Sequence, residues 1–583
     1  MTSHPNVRLL PGTRTLRTTI FSSTAVVGSV AIAGVASATI PFLVILANAL
    51  GLNGSFFQWM KPLIATAGFV TVGGSKPVVP PPTIASVEQS ASKPDSNADV
   101  AASGKRAMKL GVNLLMPTYY GGARAFSNLA LQGSWGVRDS NGKDKEMTGL
   151  LDRNQNLVNL APGDKAGRTI SAPTKGLLGQ SVDIVCHWSG KAKVSLGRTA
   201  VRNPRIGVNS LTFTFVPEGG YLPLLSVSEV DNTNPFRDLD CREADADPDA
   251  VFDPAYVAEI SRYNTVRFMK WQTAVERNTP IHWADRSRPT SNAYLNTTDG
   301  VSIEQMVLLA NEAKTNPWFC MPWNADDEYI RKFAEYVRDH LDRGLIVYVE
   351  TSNEVWNFGY KVTVQARNEG EARGLLAPGD GGAVLGRYAE RTGEVMDIWT
   401  EVFADNPKRL VRVAATQNAV PWAAEMLLKN TDIASKVDAL ATAPYFNWHF
   451  ESGSKPSVDF FSKELVGRMD LRLANAAKNK ALASAKGLRY ITYEAGQHVT
   501  IATGEQVPML IGVQHDPRMG DLYTRYLTTW KDEFGDLMVL FAAWGPTNKY
   551  GAWGMQEYLG QPLNQAPKAK AVDLFSRSYV TKN

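Results

Sequence analysis

The chain has 583 residues, more than one average domain needs and enough for a large core. Charged residues make up 20% and the formal net charge is +4, a near-even balance with no electrostatic footprint for nucleic acid. Three cysteines, Cys186, Cys241 and Cys320, are too few for a disulfide scaffold and lack the close spacing of a metal site. Pairing of Cys186 with Cys241 in an oxidising compartment stays open, because spacing alone does not decide it. Fourteen Trp and nineteen Tyr serve core packing and sugar stacking alike.

Residues 1–18 form a basic segment carrying Arg8, Arg14 and Arg17. Residues 19–52 are apolar or small and uncharged, a run long enough to span a bilayer. Basic residues ahead of it predict a cytoplasmic N-terminus and an exported remainder. Ala36-Ser37-Ala38 resembles a signal-peptide cleavage site, but residues 40–46 beyond it are still strongly apolar. A transmembrane anchor is therefore the reading taken, with a cleaved signal as its alternative. Residues 53–106 read as a linker. Its patch at 56–72 holds Lys61 and Pro62 and suits an interfacial helix or a second span. The following Pro-, Ser- and Ala-rich stretch cannot pack a core and acts as a spacer. The expected setting is a domain held at a membrane by its N-terminal segment, in the periplasm of a Gram-negative bacterium, or a secreted one.

Residues 107–129 hold a first strand, 108–115, and a loop through Tyr119, Tyr120, Gly121 and Gly122. Residues 130–235 change to short β-rich runs at 181–188, 192–196 and 210–216, separated by Gly and Asn turns. That pattern predicts a sandwich-like insertion after strand one. It either shapes substrate access or is a structural embellishment. From 236 to 583 helices and strands alternate. Asp253 before Pro254 is a helix start. Further helices are predicted at 302–314, 326–343, 388–403, 422–428, within 462–486, and at 521–534 and 566–578. Ile330, Phe333, Val337 and Leu341 give the helix at 326–343 one buried face. Strands are predicted at 265–269, 317–321, 345–349, 410–415, 439–443, 488–493 and 537–544. Eight strands alternating with helices predict an α/β fold, a (β/α)8 TIM barrel. A doubly wound sheet would carry a Gly-rich phosphate turn after its first strand, and this chain has none.

Such a barrel delivers its chemistry at the C-terminal ends of its strands. Strand four runs out into Glu350, Asn353 and Glu354, and strand seven into Glu494. Two opposed carboxylates are what glycosidic bond cleavage needs. Asn353-Glu354 after strand four, with Glu494 after strand seven, resembles the clan A retaining glycoside hydrolases, the superfamily of many cellulases and mannanases. The resemblance covers 107–583 outside the insert. Residues 352–357, Ser-Asn-Glu-Val-Trp-Asn, are also similar to a motif in uncharacterised secreted proteins. The resemblance implies Glu354 as acid/base and Glu494 as nucleophile. It implies Asn353 as a partner of the sugar 2-hydroxyl, Arg267 and Tyr445 as contacts of the nucleophile, and Trp544 as a stacking platform. It further implies a polysaccharide or oligosaccharide substrate and no cofactor or metal.

Plainer readings stand beside these: a solvated strand-end charge for each Glu, a structural ion pair for Arg267, core filling for Trp544. The chain also departs from the family pattern. Ala443-Pro444 occupies the place where the cellulase-like branch often carries a His, leaving His282, His449 and His498 as stand-ins or structural residues. Glu350 is a third carboxylate competing for the acid role, expected to turn to another face. Trp318, Trp323, Trp356, Trp422 and Trp448 fall near strand ends and suit a polysaccharide cleft. A transglycosylase using the same residues, or a non-catalytic polysaccharide-binding or assembly protein, are the competing functions.

Overall fold

The computed structural model describes residues 108–579, apart from 198–199, 276–278, 296–298 and 377–379. The expected basic segment, anchor and linker lie outside the described residues. Among the described residues no helix is long and apolar enough to cross a membrane.

Eight parallel strands form one sheet: β1 (Leu110–Asn113), β2 (Thr265–Arg267), β3 (Asn316–Met321), β4 (Val347–Thr351), β5 (Leu410–Ala415), β6 (Ala439–Thr442), β7 (Arg489–Thr492) and β8 (Met538–Leu540). Each pairs with its successor through β7, and β1 also pairs with β8. Circular order of this kind belongs to a barrel, and no doubly wound sheet has it. The seam between β7 and β8 runs through Thr492. Its N–H donates to the Leu537 carbonyl at 3.1 Å, and its hydroxyl accepts from the Val539 N–H at 2.8 Å.

The strands are apolar on both faces because both are covered. On β4, Val347 and Val349 pack outward into the main core with the helices, while Tyr348 joins the barrel interior with Trp318, Val413, Ala441 and Ile491. Local chemistry starts the outer helices. The Asp253 carboxylate accepts from the N–H groups of Ala255 and Tyr256 ahead of α1 (Pro254–Ile260), and Ser302 caps α2 (Ile303–Ala313). Asp326 caps α3 (Asp327–His340), which buries Ile330, Phe333 and Val337 on one face. Each such side chain stabilises the fold by about 1.5–3 kcal/mol.

Between β1 and β2 lie two antiparallel sheets, of four and five strands. Alternating burial along Val182–Ser189 sends Ile184 and Cys186 into a core shared with Trp135, Phe213 and Val227. The last strand, Arg237–Glu243, pairs with Val182–Ser189 and so carries the β-rich region past the expected boundary at 235. This pairing sets Cys186 directly opposite Cys241, and the two form a disulfide.

Candidate active site

β1 and β2 end in a polar residue turned into the barrel, Asn113 and Arg267, and β4 carries Glu350 inward one residue before its end. Arg267 of β2 is 0% exposed, and its guanidinium is fully bonded. Nε and Nη2 both donate to Glu350 Oε2, at 3.0 and 2.8 Å. Nη2 also donates to Asn353 Oδ1 at 2.7 Å. Nη1 donates to Asn113 Oδ1 at 3.1 Å and to Glu494 Oε1 at 3.0 Å. All five N–H groups of the fork therefore have acceptors. Burial opposes the charge, but the carboxylates of Glu350 and Glu494 outweigh it and hold Arg267 well above its ordinary pKa.

Glu350 was expected on another face; it points into the barrel with Tyr348, in keeping with the two-residue period of a strand. Its Oε2 also accepts from the Trp318 indole at 2.9 Å, while Oε1 is buried without a hydrogen-bond partner. Sealed beneath the rim and 1% exposed, it has no route to a substrate and is out of place for the acid role.

Beyond β4 the chain turns sharply. Ser352 and Glu354 have φ of 57° and 45°, the left-handed region that costs a side-chain-bearing residue about 1–2 kcal/mol. This turn buries Asn353 against Arg267 and leaves Glu354 half-buried at the rim. Glu354 Oε1 accepts from the Tyr493 hydroxyl at 2.9 Å, and Oε2 from the Asn357 amide at 3.0 Å.

After β7, Glu494 is 6% exposed, and each of its oxygens has one donor: Arg267 on Oε1 and the Tyr445 hydroxyl on Oε2, at 2.9 Å. Burial raises its pKa to about 7; Arg267 opposes this, and the charges of Glu354 and Glu350 add to it. Burial, then the nearby carboxylates, raise Tyr445 and Tyr493 well above the usual phenol range. Both hydroxyls therefore stay protonated and donate. Burial lowers the pKa of His498, so its ring is neutral near pH 7. Its Nδ1 accepts from the Trp553 indole at 3.3 Å. An indole only donates, so the imidazole proton sits on Nε2.

Five of the six residues expected at the site thus meet in one layer: Arg267, Asn353, Glu354, Tyr445 and Glu494. Trp544 does not join them. It is 5% exposed, packs against Tyr256 of α1 at 4.8 Å, and donates its indole N–H to Gln556. The reason is that β8 ends at Leu540, so the three residues Phe541, Ala542 and Ala543 carry Trp544 into the outer core. A half-buried ring nearer the site is Trp553, in contact with His498 at 5.6 Å and Phe541 at 6.1 Å, both of which pack against Tyr445, the partner of Glu494. Asn113, Tyr493 and Trp553 were not anticipated. An Asn inside the apolar run of β1 and a Tyr directly before Glu494 were usable signals. Nothing local marked Trp553.

The other aromatic and His candidates scatter. Trp318 lies inside the barrel and Trp323 is buried, while Trp356 packs edge-on against Tyr493 at 6.2 Å. Trp422 is exposed, and Trp448 packs edge-on against Phe460. His282 pairs with Asp326 and His449 with Thr500, both at the surface. Among the described residues no group of three or more His, Cys, Asp or Glu is placed to hold a metal.

No protein-family model matches the chain, and no curated protein sequence does. Solved structures with a similar trace include a GH51 arabinofuranosidase from Xanthomonas axonopodis pv. citri, at 14% identity and a TM-score of 0.33 over 50% of this chain and 60% of that one. A GH5 lichenase from Caldicellulosiruptor sp. F32 overlaps at 14% identity and a TM-score of 0.32, covering 55% of this chain and 83% of its own. A 4-O-alpha-L-rhamnosyl-beta-D-glucuronidase from Fusarium oxysporum 12S gives 11% identity and 0.34, covering 56% and 65%. Likeness of that order carries nothing about the reaction each barrel runs.

Proposed function

We propose that this chain is a retaining glycoside hydrolase that cleaves β-linked polysaccharide by double displacement. The observation that carries the reading is the pair of rim carboxylates in unlike settings. Glu494 is buried and pinned through both oxygens, as suits a nucleophile. Glu354 is half-buried and reaches solvent, as suits an acid that must meet a leaving group and then water.

In the first step the Glu354 carboxyl protonates the glycosidic oxygen while a Glu494 oxygen bonds to the anomeric carbon, and the C–O bond to the leaving sugar breaks. In the second, Glu354 takes a proton from water, the water oxygen bonds to the anomeric carbon, and Glu494 departs. Arg267 and Tyr445 hold Glu494 in line. Arg267 donates to Asn353 Oδ1, which turns the amide NH2 away from the arginine and supports a contact with the sugar 2-hydroxyl. Trp553, rather than Trp544, is the stacking ring in this reading. Carboxylates and water suffice for the chemistry, so no cofactor enters it. An exported domain, with residues 19–52 as anchor or signal, belongs to the same proposal.

The test is sugar release by the full chain from β-glucans, mannans, xylans and bacterial exopolysaccharides, with the anomer of the first product read by NMR. Release with retention, reduced about 10²–10⁴-fold or more in Glu354→Gln and Glu494→Gln, is the expected result. Transfer to sugar acceptors in place of water identifies a transglycosylase. Polymer binding without release, unchanged by either substitution, refutes catalysis and identifies a polysaccharide-binding protein.

A further inference from the structure

Glu350 has no place in the steps above, yet it is bonded more heavily than either rim carboxylate. Arg267 Nε, Arg267 Nη2, the Trp318 indole and the Cys320 thiol all converge on its Oε2, the thiol at 3.6 Å. Burial raises the Glu350 pKa, and these convergent donors, Arg267 foremost, oppose that by favouring the ionised form. One guanidinium is thus divided between two carboxylates, Glu350 below and Glu494 above. The charged or titratable groups around them come from every adjoining element: Arg267 of β2, Cys320 of β3, Glu354 after β4, Tyr388 of the long helix Asp380–Val402, Tyr445 after β6, and Tyr493 beside Glu494.

We propose that Glu350 is a positioning residue: it takes Nε and Nη2 of Arg267, presents Nη1 to Glu494, and offsets part of the guanidinium field there, so that Glu494 keeps the basicity a nucleophile needs. This rests on the reading of Glu494 as nucleophile. A carboxylate facing an unshared guanidinium would be strongly ionised and correspondingly weak in attack. The raised pKa of Glu494, due first to burial and in part to Glu350, agrees with a shared one.

The experiment is a carbon-13 carboxyl titration of the full chain, in which Glu494 is assigned by its loss in Glu494→Gln. It is compared with Glu350→Gln and with the pH profile of kcat/KM. Glu350→Gln keeps an acceptor for Arg267 but removes the charge. The Glu494 titration is expected to fall by about one to two pH units, and the acid limb of kcat/KM with it. An unmoved titration in folded Glu350→Gln overturns the proposal, even if hydrolysis stands. Should that variant not fold, the unmutated chain decides: Glu350 must be ionised while Glu494 titrates, and a protonated Glu350 over that range overturns the proposal. The titration needs no turnover. A shifted Glu494 in a chain that hydrolyses no polymer refutes the hydrolase reading and leaves the charge sharing intact.

Discussion

Replacing Glu494 by Gln is expected to abolish activity and to stabilise the protein by an amount that grows as pH rises. The carboxyl titrates near 4.5 in an unfolded chain and at about 7 in the barrel. Between those values the folded state holds a proton that the unfolded state has lost. Stability therefore falls as pH rises through this window. The neutral form's contribution is fully present below about pH 4.5 and gone above about pH 7. At 1.36 kcal/mol per unit, the loss by pH 8 is roughly 3 kcal/mol. Gln is neutral throughout and does not suffer it. Its amide oxygen still accepts from Arg267, and its NH2 meets the Tyr445 hydroxyl, which can accept as well as donate. Urea unfolding of the barrel, followed by Trp fluorescence at pH 5 and pH 8, measures the difference. Glu494→Gln is expected to exceed the wild type by about 1 kcal/mol or less at pH 5 and by roughly 3 kcal/mol at pH 8. An equal difference at both pH values, or a weaker variant at pH 8, refutes the claim that Glu494 is held against its own ionisation.

The left-handed backbone at Glu354 calls for glycine, so Glu354→Gly is expected to be about 1 kcal/mol more stable than Glu354→Gln in the same unfolding assay, both being inactive. Trp553→Ala is expected to raise KM roughly tenfold or more with a small stability change, from a lost stacking face. Trp544→Ala is expected to cost about 3–5 kcal/mol of stability with KM unchanged; the opposite pattern in steady-state kinetics and unfolding restores Trp544 to the cleft. The Cys186–Cys241 bond closes a loop with a sequence separation of 55, so the double Ala variant is expected to lose about 2–4 kcal/mol. In calorimetry that loss should appear as earlier melting of the inserted sheets.

Much of the fold was legible because its signals are local. Asp253, Ser302 and Asp326 announce helix starts through bonds to N–H groups a few residues away. The apolar runs of the eight strands reflect burial on both faces, which sequence shows directly. At the site, Glu354 and Glu494 stood out because each follows such a run. Strand eight was read too long, since residues 537–544 are apolar throughout and hydrophobicity does not mark where pairing stops. That error placed Trp544 at the rim. The turn after β4 was also invisible, because left-handed φ at Ser352 and Glu354 is imposed by surroundings against the preference of both residues.

The sequence by itself determined the alternation of strands and helices, the β-rich insertion and the two strand-end glutamates, since each depends on periodicity or on near neighbours. Only the tertiary structure decided which side chains share one charge. Asn113, Arg267, Glu350, Asn353 and Glu494 are spread over nearly the whole barrel sequence, and ring closure brings them onto a single guanidinium. It likewise decided that Cys186 faces Cys241, that Glu350 points inward beneath the rim, and that Trp553, not Trp544, packs against His498. The physical reason is common to all of these. Burial and charge sharing are properties of the closed barrel, in which residues distant along the chain exclude water from one another.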